Sequence, residues 1–175
     1  MIRFSVYMRR LQGVNDVESP EVVRQGESNS RRSDRPVVVG LDFGRRRIGV
    51  AATDPLGIGI YPVGVVVRRS QTQDLQALEA MVAERDAGRV VVGLPLNFDG
   101  TEGPSARSAR RFAEHLSQTL DIPVEMHDER LTTFEARERL KVGYRSRSRR
   151  RANVDALAAV VILEGWLAFR SQAGA

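Results

Sequence analysis

The chain contains no cysteine. Disulfides, iron–sulfur clusters and thiolate zinc sites are therefore excluded, and any metal must sit on carboxylates, histidine or carbonyl oxygens. Histidine is scarce too. His115 and His127 are too few and too far apart to form a metal cage. Lys141 is the only lysine, so nearly all of the 27 basic residues are arginine. No Walker-type G-K-[ST] loop occurs. Long apolar runs are missing as well: the longest near the C-terminus, Ala156 to Leu163, is broken by Glu164 and cannot span a bilayer. The opening MIRFSVYM is too short and too polar for a secretory signal, with no small-residue cleavage site behind it. These absences predict a cytoplasmic protein with no membrane partner.

What is present fits one folded domain in 175 residues, with 42% hydrophobic and 28% charged residues. The net charge is +5 and the pI about 10.5. A basic surface made of arginine forks suits phosphate, so nucleic acid is the expected partner ahead of an anionic membrane. Residues 1–35 are polar, mixed in charge and rich in Ser, Gly and Arg. They predict a flexible tail, with Met8 as an alternative start or the whole segment as a basic arm. The folded domain is expected over 36–171, with a short tail at 172–175.

VVVGLDF and IGVAATD are apolar strands separated only by GRRR, which predicts an antiparallel hairpin. IYPVGVVVR reads as a third strand, placed at an edge by Pro62. From Thr72 the apolar period becomes helical up to about Ala87, with Gly88 as the stop. RVVVGLP (Arg89–Pro95) is a further buried strand. Ser105–Leu120 is a helix with Ala109, Phe112, Ala113 and Leu116 on one face, and Pro123–Glu129 is a fifth strand. Thr132 and Glu135 form a capping box for another helix. A basic loop then leads to a long apolar helix capped by Asn153. The order predicts an α/β fold: a five-stranded mixed sheet, three strands in a meander plus parallel strands, with helices on both faces.

Three acids stand at element ends on this map. Asp42 closes the first strand, Asp128 and Glu129 close the fifth, and Asp155 lies in the first turn of the last helix. If the first, fourth and fifth strands run parallel, these positions converge at the carboxyl edge, where sites in such sheets gather. Carboxylates so placed repel one another unless a hard cation such as Mg²⁺ or Mn²⁺ neutralises them. Each acid also has a plainer reading: Asp42 as a turn former, Asp128 as a partner of the turn or of Arg130, Asp155 as a helix-dipole acid. Asp54, before Pro55, reads as a turn residue. His115 reads as a surface or packing residue, and His127 as packing or a substrate contact.

GLDFGRRRIGVAATD, VVGLPLNFDGTEGPSA, DERLTTFEA and NVDALAAVVIL occur in this order. In these blocks the chain resembles the YqgF/RuvX family, the Holliday-junction-resolvase-like group also described as pre-16S rRNA nucleases. The resemblance spans roughly Val37 to Leu167. It implies an RNase H-like fold and a metal-dependent endonuclease, acting on branched DNA or on the 5′ end of precursor 16S rRNA. It also implies an acidic triad of Asp42, Glu129 and Asp155 as catalytic and metal-ligating residues. Two ions would then work on the substrate, with Asp42 bridging them.

Around that triad the substrate-binding candidates are basic or polar. Arg45, Arg46 and Arg47 form a knuckle beside Asp42, and Gly44 is expected to leave room for the scissile phosphate. Asn97 and Thr101 lie in the loop LNFDGTEGPS, which belongs to a family block, and Arg130 follows Glu129 directly. KVGYRSRSRRR contributes Lys141, Arg145, Arg147, Arg149, Arg150 and Arg151, with Tyr144 as a stacking residue. Trp166 and Phe169 read as core or a dimer face. Symmetric cutting of a four-way junction needs two sites and would favour a homodimer. Two other classes stay open: an actin/hexokinase-like phosphotransferase, which needs a second such domain, and a non-catalytic nucleic-acid-binding module.

Overall fold

The computed structural model describes residues 36–131 and 147–173, with 131, 147–153 and 173 by backbone alone. The elements are β1 (Val37–Phe43), β2 (Arg47–Thr53), β3 (Ile60–Val67), α1 (Gln71–Glu84), β4 (Ala87–Leu94), α2 (Pro104–Thr119), β5 (Val124–Asp128), a 3₁₀ turn (Glu129–Leu131) and α3 (Arg147–Ala173). They form one sheet in the order β3-β2-β1-β4-β5. The first three strands are an antiparallel meander, while β4 and β5 run parallel to β1. This is the mixed α/β sheet expected of an RNase H-like fold, with the Pro62 strand at one edge.

The central strands are apolar on both sides because helices cover both faces. Val39, Leu41, Val50 and Val92 pack against Leu78 and Val82 of α1 and Phe112 and Leu116 of α2. The alternate residues Val38, Ala51 and Val91 pack against Ala159, Ile162, Leu163 and Trp166 of α3. Two-sided burial removes the polar alternation of a half-exposed strand. Among the described residues no helix is long and apolar enough to cross a membrane.

α3 crosses the whole sheet, and glycines set its track. A Cβ at Gly49 on β2 would lie 1.8 Å from the Asp155 carbonyl oxygen, and one at Gly40 on β1 would lie 2.4 Å from Leu163 Cγ. One at Gly93 on β4 would meet Ile162 Cδ1 at 2.5 Å. Beyond them, Trp166 Nε1 donates to Glu125 Oε2 on β5 at 2.9 Å. Arg89 pairs with the other Glu125 oxygen, and the guanidinium of Arg170 stands 5.1 Å from the indole centroid. Trp166→Phe keeps one aromatic ring but removes this donor and the five-membered ring that carries it, from a side chain that is buried. Its expected cost is about 2 kcal/mol, roughly half from the lost hydrogen bond and half from the gap left behind, read by denaturant unfolding followed by circular dichroism. A loss beyond roughly 3 kcal/mol would mean that the indole is more than an anchor.

Several predicted boundaries move. α1 ends at Glu84 rather than near Ala87. The chain reverses through Asp86 at φ 49°, not through Gly88. Gly88 belongs to β4, where a Cβ would sit 2.4 Å from Pro36 Cβ. α3 starts at Arg147, so Asn153 is not its cap. No glycine or proline interrupts 147–153 and arginine is a good helix former, so the backbone is helical where a loop was expected. Asp155 therefore sits in the third turn rather than the first. The 1–35 tail, the helix capped by Thr132, and Lys141, Tyr144 and Arg145 lie outside the described residues. For Arg147, Arg149, Arg150 and Arg151 only the backbone is described.

Candidate active site

Asp42 is the last-but-one residue of β1 and faces α3, because Gly40, two residues earlier, meets Leu163. Its neighbours across the sheet decide what can approach it. On β2 the partner is Gly49. On β4, Leu41 pairs with Val92, so the next residue, Gly93, lies beside Asp42. Both flanking positions lack side chains, and another acid comes in over each. The Asp155 backbone lies on Gly49, and the Glu129 carboxylate lies on Gly93, where a Cβ would be 2.5 Å from Glu129 Oε1. Glycine in a strand interior permits this close approach.

Two clefts open at Asp42. One, of about 300 Å³, is lined by Asp42, Asp155, Gly44 and Arg45 to Arg47. The other, of about 460 Å³, holds Asp42 and Glu129 together with Phe43, Arg68, Pro104 and Ser108. Asp42 is thus shared, with Asp155 on one side and Glu129 on the other. Among the described residues, no three of His, Asp and Glu gather closely enough to hold one ion by themselves. Asp42 with Asp155, and Asp42 with Glu129, are oxygen-donor pairs that would suit hard divalent cations, with water and substrate oxygens needed to complete the coordination.

The three hairpin arginines divide. Arg45 and Arg46 are exposed at the tip. Arg47 starts β2, and its Nη1 lies 3.4 Å from Asp155 Oδ2. It is the counter-charge of Asp155 and holds that side chain toward the first cleft. Gly44 has a turn reason for being glycine: its N–H donates to the Arg47 carbonyl at 2.9 Å, and a Cβ would lie 2.8 Å from that oxygen.

The loop after β4 is tied internally. Asn97 Nδ2 donates to Thr101 Oγ1 at 2.9 Å, and Thr101 Oγ1 donates to Asp99 Oδ1 at 2.6 Å. The Thr101 hydroxyl and amide, both bonded to Asp99, hold its carboxyl below the usual carboxylate range. Asn97 and Thr101 therefore shape the loop first. Arg130 donates from Nη2 to Asp128 at 2.7 Å and from Nη1 to the Phe98 carbonyl at 3.4 Å, strapping this loop to the end of β5. The Arg130 guanidinium keeps Asp128 below its ordinary pKa. Asp128 is thus the turn and Arg130 partner expected, and Glu129 lines the larger cleft.

His127 sits beside Gly93 in the register but is 4% exposed. Burial lowers its pKa, and among the described residues its Nε2 has no hydrogen-bond partner. It is too buried to touch a substrate directly. His115 is exposed and bonds to the Arg111 carbonyl. Asp54 accepts from Leu56, Ile58 and Gly59 amides, as a turn residue.

Sequence reasoning missed Arg68, Ser105 and Ser108, which line the larger cleft. Arg68 follows a strand as an ordinary exposed arginine would, and it is the pairing of β3 with β2, together with its bonds to Asp74 and the Gly44 carbonyl, that brings it to the Asp42 cleft.

The family model described as "RuvX: Holliday junction resolvase" matches residues 36–169. Curated relatives include a protein of Anaeromyxobacter sp. (strain K), 50% identical over 129 residues that make up 74% of this chain and 94% of the relative. One from Synechococcus elongatus is 46% identical over 74% of this chain and 87% of its own. One from Halothermothrix orenii is 38% identical over 77% of this chain and 96% of its own. All three carry the name "Putative pre-16S rRNA nuclease". Among solved structures, Thermus thermophilus RuvC in complex with a Holliday junction substrate aligns over 78% of this chain and 98% of its own, at 15% identity and a TM-score of 0.46. The match over 36–169 takes in every strand of the sheet and most of α3, and with it all three acids: the chain belongs to the RuvX family.

Proposed function

We propose that this protein is a divalent-metal-dependent endonuclease that hydrolyses phosphodiester bonds, with the 5′ end of precursor 16S rRNA as substrate. The observation that carries the reading is the position of Asp42, flanked by two glycines and shared by two clefts, each with a second acid. The names of relatives at 46–50% identity support the RNA substrate. The family model's description supports a second substrate, branched DNA.

Asp42 and Asp155 would hold one Mg²⁺ or Mn²⁺, and Asp42 and Glu129 another. Such ions supply an activated water and a stabilised leaving oxygen. The rest of the work belongs to the chain. β1, the central strand of the sheet, fixes Asp42. Arg47 holds Asp155 in place and offsets its charge. Arg45 and Arg46, exposed at the rim of the Asp155 cleft, are placed to grip the phosphate backbone. Lys141, Tyr144, Arg145 and the arginines that open α3 are proposed to extend that grip.

The test is a side-by-side assay of purified protein on precursor 16S rRNA with its 5′ extension and on a four-way DNA junction. Faster, site-specific cutting of the RNA supports the first reading. Paired symmetric nicks in the junction, made by a dimer, would move the assignment to the second. Replacing both Arg45 and Arg46 with alanine should weaken binding on either substrate. It should also flatten the plot of log affinity against log salt by roughly one to two units of slope. An unchanged slope would remove both arginines from the phosphate contact.

A further inference from the structure

The larger cleft contains a feature that phosphate binding does not use. The rings of Phe112 and Phe43 stack with centroids 4.4 Å apart and planes 23° from parallel. The Arg68 guanidinium lies on Phe43, its Cζ 4.2 Å from the ring centroid. Phe112, Phe43 and Arg68 thus follow one another in a column that starts in the α2 core and ends on a cation at the cleft wall.

That cation is fixed in orientation. Arg68 Nε lies 3.3 Å from Asp74 Oδ2, and Nη1 donates to the Gly44 carbonyl at 3.1 Å. Asp74 is itself buried and accepts the Arg69 amide at 2.9 Å. An arginine meant to follow a mobile phosphate would not be held along two edges. A held guanidinium presents its plane, and single-stranded or unpaired nucleotides are bound by stacking on aromatic rings or guanidinium planes. The cleft volume of about 460 Å³ is that of a small-ligand site. Apart from Asp42, Glu129 and Arg45 at its Asp42 end, its walls combine Phe43, Pro95 and Pro104 with Ser105 and Ser108, apolar faces with a polar edge, which suits a base lying next to the phosphate.

We propose that this cleft is a nucleobase subsite. The base of one nucleotide beside the scissile phosphate leaves its stack and lies on the Arg68 guanidinium, continuing the Phe112–Phe43–Arg68 column. This rests on the nuclease reading for the location of the scissile phosphate at Asp42, and it adds which part of the substrate enters the Glu129 side. It means that the enzyme selects unpaired or unstacked nucleotides at the cut, in RNA or at a branch.

The test separates base recognition from cleavage. Binding is measured in the Asp42→Asn protein, on a fluorescent precursor-RNA oligonucleotide spanning the cut and on a four-way DNA junction. In each, an abasic nucleotide is walked across the positions around the cut. The expected result is one position at which removing the base weakens binding roughly tenfold. Adding Arg68→Ala should cost about the same on the intact substrate and nothing more on the substrate abasic at that position. Arg68→Lys keeps a positive charge opposite Asp74, so the fold is protected if the alanine variant unfolds, but it lacks the plane and should behave as the alanine does. Losses that multiply, wild-type binding by Arg68→Lys, or no sensitive position on either substrate would overturn the subsite. Cleavage by the protein carrying wild-type Asp42 is scored separately. A protein that shows the abasic pattern but cuts nothing would retain the subsite and lose the nuclease reading.

Discussion

Asp42→Asn is expected to lower the cleavage rate by about a thousandfold or more while leaving the fold intact. Asparagine keeps the shape of aspartate and removes one formal charge. That charge is expected to matter more than either of the others because Asp42 lines both clefts, whereas Asp155 and Glu129 each line one. Removing it leaves each proposed cation a single protein carboxylate. It also shifts the local balance toward positive, since Arg47 stays beside Asp155. Substrate binding should therefore survive or tighten while turnover collapses, a loss in kcat rather than in KM. Single-turnover kinetics with excess protein would read this directly. A mutant within tenfold of wild type would remove Asp42 from the chemistry and leave a nucleic-acid-binding module as the better account.

The second large effect comes from a residue with no side chain. Gly49→Ala places a methyl 1.8 Å from the Asp155 carbonyl oxygen and 2.3 Å from its carbonyl carbon. Both obstacles are backbone, in the middle of a helix, so neither can rotate away. α3 must lift from β2, and it carries Asp155 and the apolar stripe from Ala156 to Trp166 with it. The expected cost is about 3 kcal/mol or more, at the upper end for overpacking. In a domain of this size that is a fall in Tm of roughly 10 °C. Gly93→Ala makes an informative contrast. There the new methyl meets side-chain atoms, Glu129 Oε1 and Ile162 Cδ1, both at 2.5 Å. Side chains can give way, so stability should fall less than for Gly49→Ala. Activity should still fall steeply, because the atom displaced is a proposed metal ligand. Thermal unfolding and single-turnover cleavage on the two variants check the pair. Equal losses of stability, or an active Gly93→Ala protein, would contradict this account of how the acids are packed.

The strand pattern was readable because its cause is local. Continuous runs of Val and Ile mark strands buried on both sides, and GRRR between two of them leaves room only for a hairpin. The edge place of β3 followed from Pro62. Helix ends were less legible. Asp86 takes the positive φ that a glycine was expected to provide. The start of α3 was misplaced because Asn153 carries the capping signal, while the preceding arginines, which read as a solvated loop, continue the helix.

For the site, the acids could be placed at element ends, but the reason they meet could not. That reason lies in the cross-strand register, which sets Gly49 and Gly93 on either side of Asp42, and register is a property of pairing rather than of any one segment. The same limit applies to Arg47 and Arg68. In sequence both are arginines among arginines. In the fold one is the counter-ion of Asp155, and the other is locked by Asp74 onto Phe43.

The most direct measurement is the single-turnover cleavage rate of the wild-type protein on precursor 16S rRNA and on a four-way junction, followed from EDTA through rising Mn²⁺ or Mg²⁺. The proposed site gives no cutting in EDTA and a rate that rises with an apparent order in metal above one, because two carboxylate pairs must fill. Cutting in EDTA at an undiminished rate, by a preparation freed of other nucleases, would contradict a metal-dependent site built on Asp42, Glu129 and Asp155.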